Sequence, residues 1–216
     1  MQETALKTSR RRRTQAERRH QSERGLVSAA VEVLAEDGVS AATFDAIALR
    51  SGYSRGMVGQ RFGSKHGLIE AVITYLHHGR ESFAAESLDD LPGLEALLAY
   101  VDFYLRWLSD MGKFKAYFRL MSWTVADISP VQSVFAAEHE RVRERFEGWM
   151  KRGQQEGQIR PDLDCGAAAR MVGGQLLGLS IQVLIEPGFD LEPIRTTYLA
   201  TLRQAFAPIT HAHRQR

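Results

Sequence analysis

The sequence predicts an all-α protein with a small three-helix head near its N-terminal end and a larger helical body behind it. Successive stretches between Glu23 and Leu76 repeat apolar residues at offsets of three and four, the period of a helix with one buried face. Beyond Arg80 no strand-like alternation is sustained, and the chain is broken at Pro92-Gly93, Met111-Gly112, Ser129-Pro130, Gly157 to Pro161 and Pro187-Gly188, where helices end. Apolar residues make up 44% of the 216, enough for a full core. These readings divide the chain into an arm over 1–22, a head over 23–67 and a body over 68–216.

Net charge is only +2, but its distribution is uneven: Lys7, Arg10, Arg11, Arg12, Arg13, Arg18, Arg19 and Arg24 stand against Glu3, Glu17 and Glu23. Residues 1–22 are polar and lack apolar periodicity, which predicts a mobile basic arm. Its arginines have two readings, contact with phosphates or a minor groove, or a solvated tail. The first is preferred where a nucleic-acid-binding unit adjoins the arm. One cysteine, Cys165, leaves no internal disulfide, and no apolar signal region follows the basic run. The expected home is the cytoplasm. The apolar stretch from Met171 to Ile185 is interrupted by Gln175 and Gln182 and is shorter than the roughly 20 residues of a membrane span, so it is read as a buried helix.

From Glu23 to Asp37, Leu26, Val27, Ala30, Val31 and Leu34 follow helical spacing, and Gly38 supplies a C-terminal stop. Thr43 then caps a short helix carrying Phe44, Ile47 and Ala48 on one face, with Asp45 near its positive end. Gly52 turns the chain sharply, and Ser54 caps a second helix by accepting from the Met57 amide. In that second helix Val58 and Phe62 face inward, leaving Arg55, Met57, Gly59, Gln60 and Arg61 outward. The pair is a helix-turn-helix, and the outward face suits a major groove, where Arg matches guanine and Gln matches adenine. After Gly63, Ser64 caps the next helix, which runs through Leu68, Ile69, Val72, Ile73 and Leu76; its N-terminus places Lys65 beside open amides, a phosphate site. The expected DNA-binding set is therefore Thr43, Ser54, Arg55, Met57, Gly59, Gln60, Arg61 and Lys65.

The block TFDAIALRSGYSRGMVGQRFGSK resembles the DNA-binding domain of the TetR family, with Ser54, Gly56, Val58, Phe62, Ser64 and Lys65 in register. It departs at Gly59, where the family has Tyr, and at Arg61, where it has His or Tyr. The resemblance implies double-stranded DNA, a small-molecule effector and a second copy of the chain as partners, and no cofactor. Gly52 to Gly56 also spell the G-x-S-x-G of a hydrolase elbow, but a helical pattern precedes them where that motif needs a strand.

Body helices are expected at about Leu94 to Asp110, Lys113 to Ala126, Pro130 to Glu156, Cys165 to Ile185 and Glu192 to Phe206. Tyr100 to Trp123 is rich in aromatic residues. Most such side chains fill cores, yet the resembled family holds an effector pocket between these helices, which implies Tyr100, Tyr104, Trp107, Tyr117, Met121 and Trp123 as its lining. The last two helices resemble the family's dimer pair. Glycine costs a helix about 1 kcal/mol, so Gly174 and Gly178 sharing a face with Leu177, Ile181 and Leu184 point to a close approach. That approach is by a twin, or by a ligand or helix of the same chain.

No metal site or catalytic set is expected. Glu17 with His20 is a single Glu-x-x-His where a di-iron bundle needs paired ones, and His77, His78 and Glu81 read as a solvated face. Three functions stay in view: a ligand-responsive dimeric regulator of transcription that leaves a palindromic operator when an effector binds, an architectural DNA-binding protein, and a helical enzyme.

Overall fold

The computed structural model describes residues 14–108, 111–126, 131–186 and 188–208. Its elements are α1 (Gln15–Asp37), α2 (Phe44–Ser51), α3 (Arg55–Phe62), α4 (Lys65–Ser87), α5 (Gly93–Trp107), α6 (Met111–Ala126), α7 (Gln132–Gln155), α8 (Cys165–Ile185) and α9 (Glu192–Phe206). The fold is all-helical, a three-helix head followed by a helical body. Lys7 and Arg10 to Arg13 of the expected arm lie outside the described residues.

One boundary needs correction. The first helix begins at Gln15 rather than Glu23, so the later part of the arm is helical. The reason is propensity: Gln, Ala, Glu and Arg are good helix formers, and a helix already anchored at Leu26 extends without paying nucleation again.

The head closes on Leu26, Leu34, Ile47, Val58 and Leu68, each buried. Gly38 and Gly52, at φ 87° and 72°, occupy the left-handed region that a side chain disfavours, and so end α1 and α2. α4 starts in the head and runs into the body, where Leu76 and His77 are buried. α6 packs along α1, and Arg119 of α6 donates to the Leu34 carbonyl of α1 at 3.1 Å.

In the body, α7 packs on both α5 and α8, and α9 covers α5. Gly93 makes the α5–α7 crossing possible, since a Cβ there would lie 2.2 Å from the Trp149 carbonyl oxygen and 2.3 Å from the Gly153 nitrogen. Pro92 gives α5 no side-chain cap, so the amides of Gly93 and Leu94 donate instead to Glu156 and Gln158 beyond the end of α7, at 2.7 and 3.1 Å. Arg145 of α7 ties in Asp89 at 2.8 Å and Glu81 of α4 at 2.9 Å.

α8 departs from the expectation of a buried helix. Val172, Leu176 and Ser180 are buried, but Met171, Ile181 and Ile185 are 66%, 44% and 74% exposed. By length and composition α8 could cross a membrane, which is weak evidence for one, because its inner face is packed in the body. Its outer face mixes Arg170, Gln175 and Gln182 with Met171, Ile181 and Ile185, and no helix among the described residues covers the last three.

Candidate nucleic-acid interface and body cavity

Each cap in the head and at the start of α4 forms as its residue type dictates. Thr43 Oγ1 accepts from the Ala46 amide at 3.2 Å, Ser54 Oγ from Met57 at 3.2 Å and Ser64 Oγ from Gly67 at 3.0 Å. With Val58 and Phe62 turned to the core, α3 presents Arg55, Met57 and Gln60 to solvent. Arg55 is 70% exposed and pairs with Asp45 at 2.9 Å across the helix corner. Lys65 is exposed at the start of α4 and donates to the Ser40 carbonyl at 3.3 Å, which holds it beside the α4 amides.

Two residues expected on the outward face sit elsewhere. Gly59 is half-buried over the Phe44 ring, because that side of so short a helix rests on α2. Arg61 turns toward α1 and ion-pairs with Glu23, leaving 23% of its side chain exposed. Sequence reasoning placed Arg19 on a mobile arm, whereas it stands on α1. Gln15, Arg19 and Ser22 form one wall of a groove whose other wall is Met57, Gln60 and the ion-paired Arg61. A run of helix-forming polar residues ahead of Leu26 was the signal available.

Between α4, α5, α6, α7 and α8 the body holds a cavity of about 490 Å³ that opens to solvent past Arg170 and Gly174. Tyr100, Tyr104 and Tyr117 stand on its wall. Trp107, Met121 and Trp123 do not; they are half-buried against the core, Trp107 between Tyr104 and Phe114. The wall also holds His77, His139, Phe146, Leu176 and Leu177, which sequence reasoning did not assign to it. His77 in particular is 2% exposed rather than on a solvated face. It follows Ile73 by four and His139 follows Phe135 by four, so each histidine lies on an apolar stripe, and that was the readable signal.

These polar groups are organised. Tyr117 Oη is hydrogen-bonded to His139 Nε2, and the His77 ring stands edge-on to Tyr117 at 5.4 Å. His77 Nδ1 is 3.9 Å from the buried Glu138, which also pairs with Arg141. Tyr104 Oη meets Ser180 Oγ at 3.0 Å, and Tyr100 meets Phe146 edge to face at 5.0 Å. Glu140, Arg143 and Arg170 provide the charge on the wall. The hydrogen bond from Arg143 holds the Glu140 carboxyl below its ordinary range, and the bonds to Glu140 and Glu147 raise Arg143 above its own.

Of the α8 residues expected at a dimer interface, Gly174 and Leu177 line this cavity. A Cβ added to Gly174 or Gly178 would meet nothing within 4 Å, so among the described residues no other helix packs against either glycine. Ile181 is exposed and Leu184 half-buried. Among the described residues no group of His, Cys, Asp or Glu is arranged to hold a metal. Cys165 is buried, and desolvation raises its thiol, which leaves it a poor nucleophile.

Residues 26–72 match the family model of bacterial regulatory proteins, tetR family. No curated protein matches the chain. Among solved structures, a protein assigned as a TetR-family transcriptional regulator from Rhodococcus sp. is 16% identical, with 87% of this chain and 100% of that one covered and a TM-score of 0.77. A SmeT–triclosan complex is 24% identical over 88% of this chain and 93% of that one, at 0.73. A protein assigned as a transcriptional regulator from Saccharomonospora viridis, in complex with choline, is 19% identical over 86% and 96%, at 0.72. At these identities the likeness concerns the fold.

Proposed function

We propose that this chain, whose head is a tetR-family DNA-binding domain on a TetR-like helical body, is a ligand-responsive regulator of transcription that acts as a homodimer in the cytoplasm. The observation that carries the reading is the exposed row Arg55, Met57 and Gln60 on α3, flanked by Lys65 at the start of α4. A helix of this width fits the major groove, base edges are within reach of Arg and Gln, and Lys65 with the α4 amides suits a phosphate. We read α8 and α9 as the surface that pairs two chains, because α8 leaves Met171, Ile181 and Ile185 exposed around glycines that no helix among the described residues approaches. Two heads then bind successive major grooves of a palindromic site, about 34 to 36 Å apart.

The cavity supports the responsive half of the reading. Its wall takes His77 from α4, the helix that begins with Lys65, and Tyr117 from α6, two residues before Arg119, which bonds to α1. A ligand that separates α4 from α6 therefore acts on both helices that hold the head. Structural neighbours in complex with triclosan and choline are consistent with a small-molecule site in this fold. On this reading the protein is a repressor that a small molecule releases from its operator, and not an enzyme. Sedimentation with a duplex selected from a random pool tests the reading. Two chains per palindromic duplex are expected; one chain on an asymmetric site removes the dimer.

A further inference from the structure

The mouth of the cavity specifies a class of ligand, an inference that rests on the reading of this cavity as the effector site. Tyr104 and Tyr117, both buried on the wall, already have polar partners in Ser180 and His139. The charged side chains described on the wall form one cluster of a carboxylate, Glu140, and two guanidiniums, Arg143 and Arg170.

These three are not equally engaged. Arg143 is spent on two carboxylates: its Nε and Nη2 meet Glu140 Oε1 at 2.8 and 2.7 Å, and its Nη1 meets Glu147. Glu147 lies off the wall and also pairs with Lys151 at 2.7 Å. Arg170 is different. Its Nη2 stands 3.7 Å from Glu140 Oε2, beyond hydrogen-bond reach, and its side chain is 70% exposed. A guanidinium carries five N–H donors in a planar fork, and among the described residues no group accepts one from Arg170. An anion can therefore bind Arg170 without displacing Glu140. A cation that turned to Glu140 would come between Arg143 and Arg170. With two positive groups to one negative, the cluster favours the anion.

α8 leaves this guanidinium within reach of the cavity. Side chains on a helix lean toward its N-terminus, so residues three and four positions beyond Arg170 would lie over it. Those residues are Gly173 and Gly174, both on the wall, and a Cβ at either would meet nothing within 4 Å. Glycine is a poor helix former, and no packing among the described residues calls for these two. An open mouth beside Arg170 does. Further in, the wall is apolar, with Tyr100, Phe146, Leu176 and Leu177.

We propose that the cavity takes an amphipathic monocarboxylate, whose acid group pairs with Arg170 at the mouth and whose apolar body lies against Tyr100, Phe146 and Leu177. The fork of Arg170 matches the two oxygens of a carboxylate.

Calorimetric titration of the full chain at low salt with three probes of one shape tests this: 2-naphthoate, 2-naphthamide and 2-naphthylmethylammonium. The naphthoate is expected to bind at least about fivefold more tightly than either of the others, the span of a charge-assisted bond to an exposed arginine. Added salt should narrow its margin over the amide, because the guanidinium is exposed. Arg170→Gln should bring the naphthoate down to the amide without moving the amide. Gly173→Leu, which fills the mouth, should weaken both alike. An amide that matches the naphthoate, tighter binding by the ammonium, no binding by any of the three, an unchanged preference in Arg170→Gln or unchanged binding in Gly173→Leu overturns the proposal. The Arg170→Gln comparison stands by itself if Gly173→Leu does not fold. Each probe is also added to the complex with a selected DNA duplex. An ammonium or amide that binds best and releases DNA defeats the ligand class and leaves the effector site standing. Naphthoate that binds in the expected order without releasing DNA keeps the class and removes the effector role.

Discussion

Arg61 of α3 is ion-paired with Glu23 of α1, and only 23% and 32% of the two side chains is exposed. The pair joins α3 to α1. A carboxylate thus stands beside the groove where α1 and α3 present Gln15, Arg19 and Gln60. Glu23→Gln should release Arg61 toward DNA and strengthen binding to every duplex alike. It should also steepen the salt dependence by up to about one counterion. A salt titration of wild type and variant on one duplex checks this, and an unchanged slope would show that Arg61 stays turned away from DNA.

Gly59 costs α3 helix propensity without a packing reason. A Cβ there would rest 3.7 Å from the Phe44 ring, an ordinary contact. Gly59→Ala should therefore stabilise the head by up to about 1 kcal/mol, read as a rise in thermal midpoint. A fall would mean that the α2–α3 packing is tighter than the geometry indicates.

Gly93 is the opposite case. Its added Cβ would meet backbone atoms of α7 at 2.2 and 2.3 Å, and backbone cannot step aside as a side-chain tip can. Gly93→Ala should cost on the order of 3 kcal/mol as α5 and α7 are forced apart. Denaturant unfolding measures it, and a loss below about 1 kcal/mol would contradict the close crossing.

These contrasts show what could be read in the sequence. Thr43, Ser54 and Ser64 were legible as caps because each acts on an amide three residues away, and Gly38 and Gly52 because the turn they make is local. The limits of α8 and α9 were legible for the same reason. The cavity was less so. Its wall draws on five helices, and an aromatic run such as Tyr100 to Trp123 does not say which rings turn toward α7 and α8. Tyr100 and Tyr117 reach the wall while Trp107, Met121 and Trp123 pack behind it. His77 and His139 come together from positions far apart in the chain, a pairing that periodicity cannot supply. Nor could α3 alone show that Arg61 has a partner on α1.

Gly178 has open space around it within one chain, so Gly178→Leu should fold normally. In the proposed dimer the same leucine would stand where the twin approaches. Sedimentation should give a helical monomer, with operator affinity reduced because two half-sites are no longer engaged together. A stable dimer with full affinity would place the interface elsewhere.

The claim that α3 reads DNA sequence is tested most directly by parallel selection from a random duplex pool with wild type and with Gln60→Ala. Gln60 is exposed on the proposed face and lines the groove between α1 and α3. The wild type should enrich a palindrome, and the variant should relax one base pair in each half-site at a cost of about 1 to 3 kcal/mol. A pool that yields no shared sequence, or a variant with the full wild-type preference, would contradict the account.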